Sequence, residues 1–137
     1  MRIIRLFIFT LFVTLNISTL SAQVYRFKAT SFSVIEKDAK DNWGKWTEPE
    51  QSTAIISLDG KKDRLVIGTK EIQVYKILNY GEKVVTQFDE TIALDCADLN
   101  GKPCTILVVT RKNQDDRKQF YVNYEDVKFV YNVYVVN

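Results

Sequence analysis

Apolar and polar residues alternate along most of the chain after residue 22, in short runs separated by turn residues. A period of two residues indicates β-strands, because successive side chains of a strand point to opposite faces of the sheet. No segment keeps the helical period of 3.6 residues over three turns. We therefore predict an all-β chain with eight strands, at Val24–Ile35, Ser52–Leu58, Arg64–Ile67, Glu71–Leu78, Val84–Cys96, Cys104–Arg111, Lys118–Tyr124 and Val127–Val136.

The alternation changes phase inside the first predicted strand. Phe27 and Ala29 share one face, but the next apolar pair, Phe32 and Val34, falls on the other parity. One extra residue in a strand produces this shift, so the pattern predicts a β-bulge after Ala29.

Most of the predicted strands are joined by short connections, which favour antiparallel pairing of consecutive strands as a meander. Eight such strands can close into an up-and-down barrel, similar in layout to the calycin barrels, and closure removes exposed edges. The alternative is a two-sheet β-sandwich. A barrel of this size is either filled by side chains or holds one small ligand.

The one long connection is Glu36–Gln51, which contains Trp43 and Trp46. Long loops without regular structure are uncommon in compact domains unless they have a function, and we expect this loop to cover one mouth of the barrel. With Tyr80 of another loop, the two tryptophans could form a stacking surface for a small apolar or sugar-like ligand. The alternative is that they fold down as a hydrophobic plug over the barrel end.

The first 22 residues have the three parts of a secretory signal peptide. Basic residues at Arg2 and Arg5 precede an apolar run, Leu6–Leu15, and Leu20-Ser21-Ala22 provides a small-residue cleavage site. The segment is short and broken for a membrane span, which needs about 20 apolar residues. We predict a single domain at 23–137, exported to the periplasm or secreted, with no membrane span in the mature chain. An uncleaved anchor is the alternative.

Export changes the charge balance. The chain has 19 basic and 17 acidic residues, and cleavage would remove two basic residues and no acidic one, which leaves a net charge of zero. A neutral chain has no net field for a polyanion, so we predict no nucleic-acid partner.

Cys96 and Cys104 are the two cysteines, and Asn100-Gly101 between them is a tight-turn signal. Cysteines of exported proteins are typically oxidised, so we predict a disulfide across this hairpin, worth about 2–3 kcal/mol in the chain-entropy model. The alternative, a redox pair, lacks the Cys-x-x-Cys spacing.

Catalytic chemistry has little support. There is no histidine, which removes Ser-His-Asp and Cys-His catalysis and histidine-ligated metals, and no phosphate-binding or nucleophile-elbow motif occurs. Asp89 and Glu90 are adjacent in a predicted strand and therefore point to opposite faces, so they are not a ready carboxylate pair. Glu90 shares its face with Ile92 and Leu94 and would point inward if this register holds, but we expect a bulge to return it to solvent. Asp98-x-Asn100-Gly101 is only a fragment of a calcium loop. We predict no enzyme activity, no cofactor and no metal site.

Two segments carry a resemblance to a family. Cys96-x-Asp98-x-Asn100-Gly101-x-x-Cys104 and Tyr121-Val122-Asn123-Tyr124-Glu125-Asp126, followed by Tyr131-Asn132-Val133, resemble small exported proteins of Bacteroidetes with no assigned activity. The resemblance implies an exported β-domain and supplies no function. Our leading hypothesis is a non-enzymatic binding protein for a small apolar or carbohydrate ligand. The second is a protein-interaction or inhibitor module that uses a strand edge or a loop face, and a carboxylate hydrolase or isomerase is the third.

Overall fold

The computed structural model describes residues 23–136, so the predicted signal peptide at 1–22 lies outside the described residues. Within that range the chain forms no helix, and accordingly none that is long and apolar enough to cross a membrane. It forms ten strands: β1 (Val24–Glu36), β2 (Glu50–Gln51), β3 (Ile55–Asp59), β4 (Arg64–Gly68), β5 (Ile72–Tyr80), β6 (Val84–Val85), β7 (Asp89–Ala97), β8 (Pro103–Arg111), β9 (Arg117–Asn123) and β10 (Val127–Val136).

Eight of these strands form a closed antiparallel barrel. They pair in chain order from β1 through β3, β4, β5, β7, β8 and β9 to β10, and β10 then pairs with β1. The two-residue strands β2 and β6 attach to the sides of β1 and β7. The predicted up-and-down barrel is confirmed, and its closure pairs the backbone groups that an open sheet would leave at its edges.

The predicted bulge in β1 is also confirmed. The register between β1 and β10 shifts between Ala29 and Ser31, which leaves Thr30 without a partner in the ladder. The Thr30 hydroxyl donates to the backbone carbonyl of Asn132 at 3.2 Å. Because the bulge restores the phase, Phe27 and Phe32 both face the interior although they are five positions apart in sequence.

One predicted strand is divided in two. We expected Val84–Cys96 to be continuous, but a turn at Thr86–Phe88 separates β6 from β7. The Thr86 hydroxyl accepts the backbone N–H groups of Phe88 and Asp89, at 3.2 and 2.9 Å. The Thr86 N–H donates to the Asp89 carbonyl at 2.8 Å. A threonine side chain here replaces ladder hydrogen bonds by turn hydrogen bonds, which is why the strand stops.

The inward faces of the eight strands make one apolar core. Phe120 of β9 is completely buried and meets the ring of Phe27 edge to face, with 4.8 Å between ring centroids. The other completely or almost completely buried large side chains are Ile56, Leu58, Leu65, Ile67, Leu94, Ile106 and Val122. These side chains fill the middle of the barrel, so any space for a ligand lies toward its ends.

The predicted disulfide is not present in the structure. Cys96 and Cys104 are directly opposite each other in the β7–β8 ladder, but both are free, buried thiols. The Asp98 N–H donates to the Lys102 carbonyl at 3.0 Å, so Asp98 and Lys102 form a hydrogen-bonded pair of the ladder. Such pairs recur every second residue, so Cys96 and Cys104 also form one. Side chains lie further apart in a hydrogen-bonded pair than in a non-hydrogen-bonded pair. The Cys96 thiol instead donates to the carbonyl of Leu94 at 3.5 Å.

Candidate functional site

A cavity of about 320 Å³ opens at the end of the barrel where β5 and β10 finish, and we call it the mouth cavity. Apolar side chains from strands around the barrel form most of its wall. The lining residues are Tyr25, Phe27, Leu58, Ile92, Val108 and Val135, with Lys83, Glu90, Thr110 and Lys118 as the polar members.

The polar residues reach the cavity because they continue the inward faces of their strands. Glu90 has the same parity as the core residue Leu94, and Lys118 has the same parity as Phe120. Glu90 pairs with Thr110 across β7 and β8, and Thr110 pairs with Lys118 across β8 and β9. The three side chains therefore form a row on the inner wall at the mouth.

We expected a bulge to return Glu90 to solvent, but the structure places it in the wall of the mouth cavity, because β7 keeps an unbroken register with β8 from Asp89 to Ala97. Its carboxylate lies 3.6 Å from the Lys83 Nζ and 3.9 Å from the Lys112 Nζ. Asp89 points to the outer face, where one carboxylate oxygen is 2.9 Å from Arg111. The two adjacent carboxylates thus lie on opposite sides of the barrel wall and cannot act on one substrate.

Lys118 is the other charged group of the mouth cavity. Its Nζ donates to the Thr110 hydroxyl at 3.0 Å, in a half-buried position. Among residues 23–136 no carboxylate lies within ion-pair distance of it. The mouth cavity therefore combines an apolar wall with an ammonium that has only a neutral partner.

The long loop that holds the two tryptophans lies along the barrel wall. Trp43 forms a bridge with Lys37, and the Thr47 N–H donates to the Val34 carbonyl at 2.9 Å, so the loop runs antiparallel beside the second half of β1. Trp46 packs edge to face on Tyr121, an outward residue of β9, with 6.2 Å between ring centroids. We expected this loop to cover a mouth, but it covers the outer wall, because β1 extends beyond β3 and leaves one side free for pairing.

The structure does not bring Trp43, Trp46 and Tyr80 together. The Nζ of Lys128, at the start of β10, lies 4.4 Å from the Trp43 ring centroid. Tyr80 ends β5 at the opposite end of the barrel, where its hydroxyl donates to Asp63 at 2.9 Å. Burial and this hydrogen bond raise the pKa of Tyr80 to about 12. Of the three predicted ligand residues, Tyr80 is the one at the mouth end.

A chain of polar side chains crosses the outer face of β7, β8, β9, β10 and β1, and sequence analysis missed it. We call it the outer polar belt; its members are Asp89, Arg111, Gln119, Tyr121, Asn132 and Ser31. The Arg111 Nε donates to the Gln119 amide oxygen, and the Gln119 amide nitrogen donates to the Asn132 side chain, both at 2.9 Å. The hydrogen bond with Asp89 raises the pKa of Arg111. Every member has a partner, so we assign the belt a structural role.

A second cavity, of about 380 Å³, lies at the opposite end of the barrel beside the β7–β8 turn. Its central polar groups are Asp98 and Tyr124, whose hydroxyl donates to the carboxylate at 2.9 Å. The Asp98 carboxylate also accepts the N–H groups of Asn100 and Lys102, each at 2.9 Å, and the Lys102 bond is the main reason why the pKa of Asp98 is lowered. Burial raises the pKa of Tyr124. These groups satisfy one another and hold the turn, so they offer a ligand few free partners.

No group of three or more histidine, cysteine or carboxylate side chains is arranged to hold a metal ion within residues 23–136. Asp98 instead serves the hairpin turn, in which Gly101 takes a φ of 77°. Of the two cavities at the barrel ends, the mouth cavity is the one that combines a mostly apolar wall with an ammonium, that of Lys118, that has no carboxylate partner within residues 23–136. No protein family, no curated protein and no solved structure matches this chain.

Proposed function

We propose that this chain is an exported, non-enzymatic binding protein that holds a small, largely apolar ligand in the mouth cavity. The observation that carries the proposal is a cavity of about 320 Å³ whose wall is mostly apolar and whose polar groups lie on one side. Ligand sites of about 300–1,000 Å³ typically combine an apolar wall with a few polar anchors. The size is at the lower end of that range, which favours a small ligand.

The driving force would be the burial of apolar surface. Ile92 and Val108 are half-buried and pack against the core, and both face the cavity. A ligand that covers them removes their remaining apolar surface from water, worth about 25 cal/mol for each Å². The aromatic members of the wall are Tyr25 and Phe27, and the aliphatic members outnumber them. This composition supports an apolar ligand over a sugar.

Native mass spectrometry of the protein recovered from the exported fraction tests this proposal. We expect a native mass that exceeds the denatured mass by one small-molecule increment. Ile92→Trp fills the cavity and should lose the increment, whereas Ile72→Trp, at a 69% exposed position at the other end of the barrel, should keep it. An increment that survives Ile92→Trp would place the ligand elsewhere. A bare protein that also fails to bind added 1-octanol would contradict the proposal.

A protein-interaction module is the second candidate, and exposed apolar residues at the mouth end favour it. Val84, Val85 and Phe88 are 54–60% exposed, and the end of β10 at Tyr134–Val136 is also exposed. Among residues 23–136, β6 pairs with β7 and has no further strand on its outer side. If a partner protein docks on these exposed residues, which we call the rim, Phe88→Ser should abolish binding of the partner and leave binding of 1-octanol unchanged. Loss of both together would instead indicate that the rim serves the ligand.

A further inference from the structure

The position of Lys118 indicates the chemical class of the ligand, an inference that rests on the proposed function. Lys118 stands in the inner row at the mouth, next to Thr110 on one side and Val133 on the other. It lines the mouth cavity, and its Nζ has the Thr110 hydroxyl as its hydrogen-bond partner, at 3.0 Å. The Lys118 residue is half-buried, and beside a mostly apolar wall few other polar groups are available to its ammonium.

The carboxylate of the same cavity does not neutralise Lys118. Glu90 lies two strands away along the row, which corresponds to about 10 Å at the usual spacing of strands. Its two oxygens are already shared by Lys83 and Lys112, at 3.6 and 3.9 Å. Among residues 23–136, the cavity lining and the ion pairs of Glu90 together contain three ammonium groups, Lys83, Lys112 and Lys118, and one carboxylate, an excess of two positive charges.

Within the part of the chain that the structure describes, the other acids near the mouth do not pair with Lys118. Asp115 and Asp116, in the turn between β8 and β9, are exposed and form no ion pair with Lys118. Asp63 accepts the hydroxyl of Tyr80. An anion in the cavity would restore the balance, since an ammonium–oxyanion hydrogen bond is stronger than the bond to a neutral hydroxyl.

We infer that the ligand is an amphiphilic anion, with an apolar body against Ile92 and Val108 and an oxyanion, such as a carboxylate, on Lys118. The excess positive charge rejects a cationic head group of the same size, while a neutral hydroxyl gains only an ordinary hydrogen bond. The polar side of the cavity thus sets the charge of the ligand, and the apolar wall sets its size.

Isothermal titration calorimetry of residues 23–137 with octanoate, 1-octanol and octylamine tests the inference. The three probes have an apolar chain of similar size and differ in the charge of the head group. We expect octanoate to bind about tenfold more tightly than 1-octanol, and octylamine to bind most weakly. Lys118→Met keeps the apolar stem and should abolish the preference for octanoate without weakening 1-octanol. Lys118→Arg should preserve the preference. Lys62→Met removes an exposed charge from the β3–β4 turn at the same end and is the matched control.

The outcomes separate the inference from the proposed function. Equal binding of octanoate and 1-octanol, or a preference that survives Lys118→Met, overturns the inference and leaves the apolar site intact. Loss of the preference in Lys62→Met as well would show a general charge effect and would also overturn it. Failure of all three probes to bind at millimolar concentration contradicts the proposed function itself.

Discussion

Gln119 is the central residue of the outer polar belt, and replacing it should destabilise the barrel although it lies outside the core. Its side chain is 6% exposed. It accepts hydrogen bonds from the Arg111 Nε at 2.9 Å and the Tyr121 hydroxyl at 3.3 Å, and it donates to Asn132 at 2.9 Å. Gln119→Met keeps the length of the side chain and removes all three hydrogen bonds.

The expected cost follows from these bonds. Each contributes about 0.5–1.5 kcal/mol net, and the burial of Gln119 prevents water from replacing them fully, so the free energy of unfolding should fall by about 2–4 kcal/mol. That is a large part of the roughly 5–15 kcal/mol that stabilises a single domain. Urea unfolding followed by circular dichroism measures it, with an unchanged m-value as the sign that only stability has changed.

Gln51→Met is the matched control, because Gln51 is exposed in β2 and its replacement should change stability by less than about 0.5 kcal/mol. A double-mutant cycle with Asn132→Leu isolates the contact that joins β9 to β10 and should give a coupling energy of about 0.5–3 kcal/mol. If Gln119→Met matches the Gln51→Met control, or if the two belt substitutions are additive, the belt does not stabilise the barrel.

Three further predictions concern the core and the thiols. Phe120→Ala removes a fully buried ring and should lower the free energy of unfolding by about 3–5 kcal/mol, measured in urea. Leu99→Ala, at a 75% exposed position, is the control and should leave it unchanged. Equal effects of the two substitutions would refute the packing of β9. Burial raises the pKa of Cys96 to about 12 and that of Cys104 to about 11, so iodoacetamide at pH 8 should label both thiols only after unfolding, as measured by mass. In the unfolded chain the two thiols ionise from about pH 9 upward, whereas in the folded protein they stay protonated. The free energy of unfolding should therefore fall as the pH rises above about 9, and it should fall less in the variant Cys96→Ala/Cys104→Ala. Rapid labelling of the folded protein would contradict the buried, protonated thiols.

The strands could be predicted because the core is built by alternation. The phase shift after Ala29 even located the bulge, since a closed barrel must keep Phe27 and Phe32 on the same side of the wall. The break before β7 was missed because it depends on one hydroxyl, that of Thr86, and alternation continues across it. The hairpin signal correctly predicted that Cys96 lies opposite Cys104 in the ladder. Whether the two form a disulfide depends on whether they occupy a hydrogen-bonded or a non-hydrogen-bonded pair, which the sequence does not reveal.

The site was only partly predictable. Parity was compatible with an inward Glu90, but we expected a bulge there, and its neighbours Thr110 and Lys118 follow from the register of three strands, which the sequence does not reveal. The size and aromatic character of Trp43 and Trp46 favour a ligand surface at a mouth of the barrel. Their loop instead pairs beside β1, which directs Trp46 to the outer wall. The outer polar belt leaves no sequence signal beyond polar residues at outward positions, which are ordinary in any barrel strand.

The most direct test of the central claim is a ¹H–¹⁵N NMR titration of residues 23–137 with 1-octanol, which carries no charge and so probes the cavity alone. The proposed function predicts saturable shifts at the residues of the mouth cavity, led by Phe27, Ile92 and Val108, and little change around Trp43 and Trp46. Shifts that cluster at the tryptophan loop, or an unchanged spectrum up to the solubility limit, would contradict a ligand site in the mouth cavity.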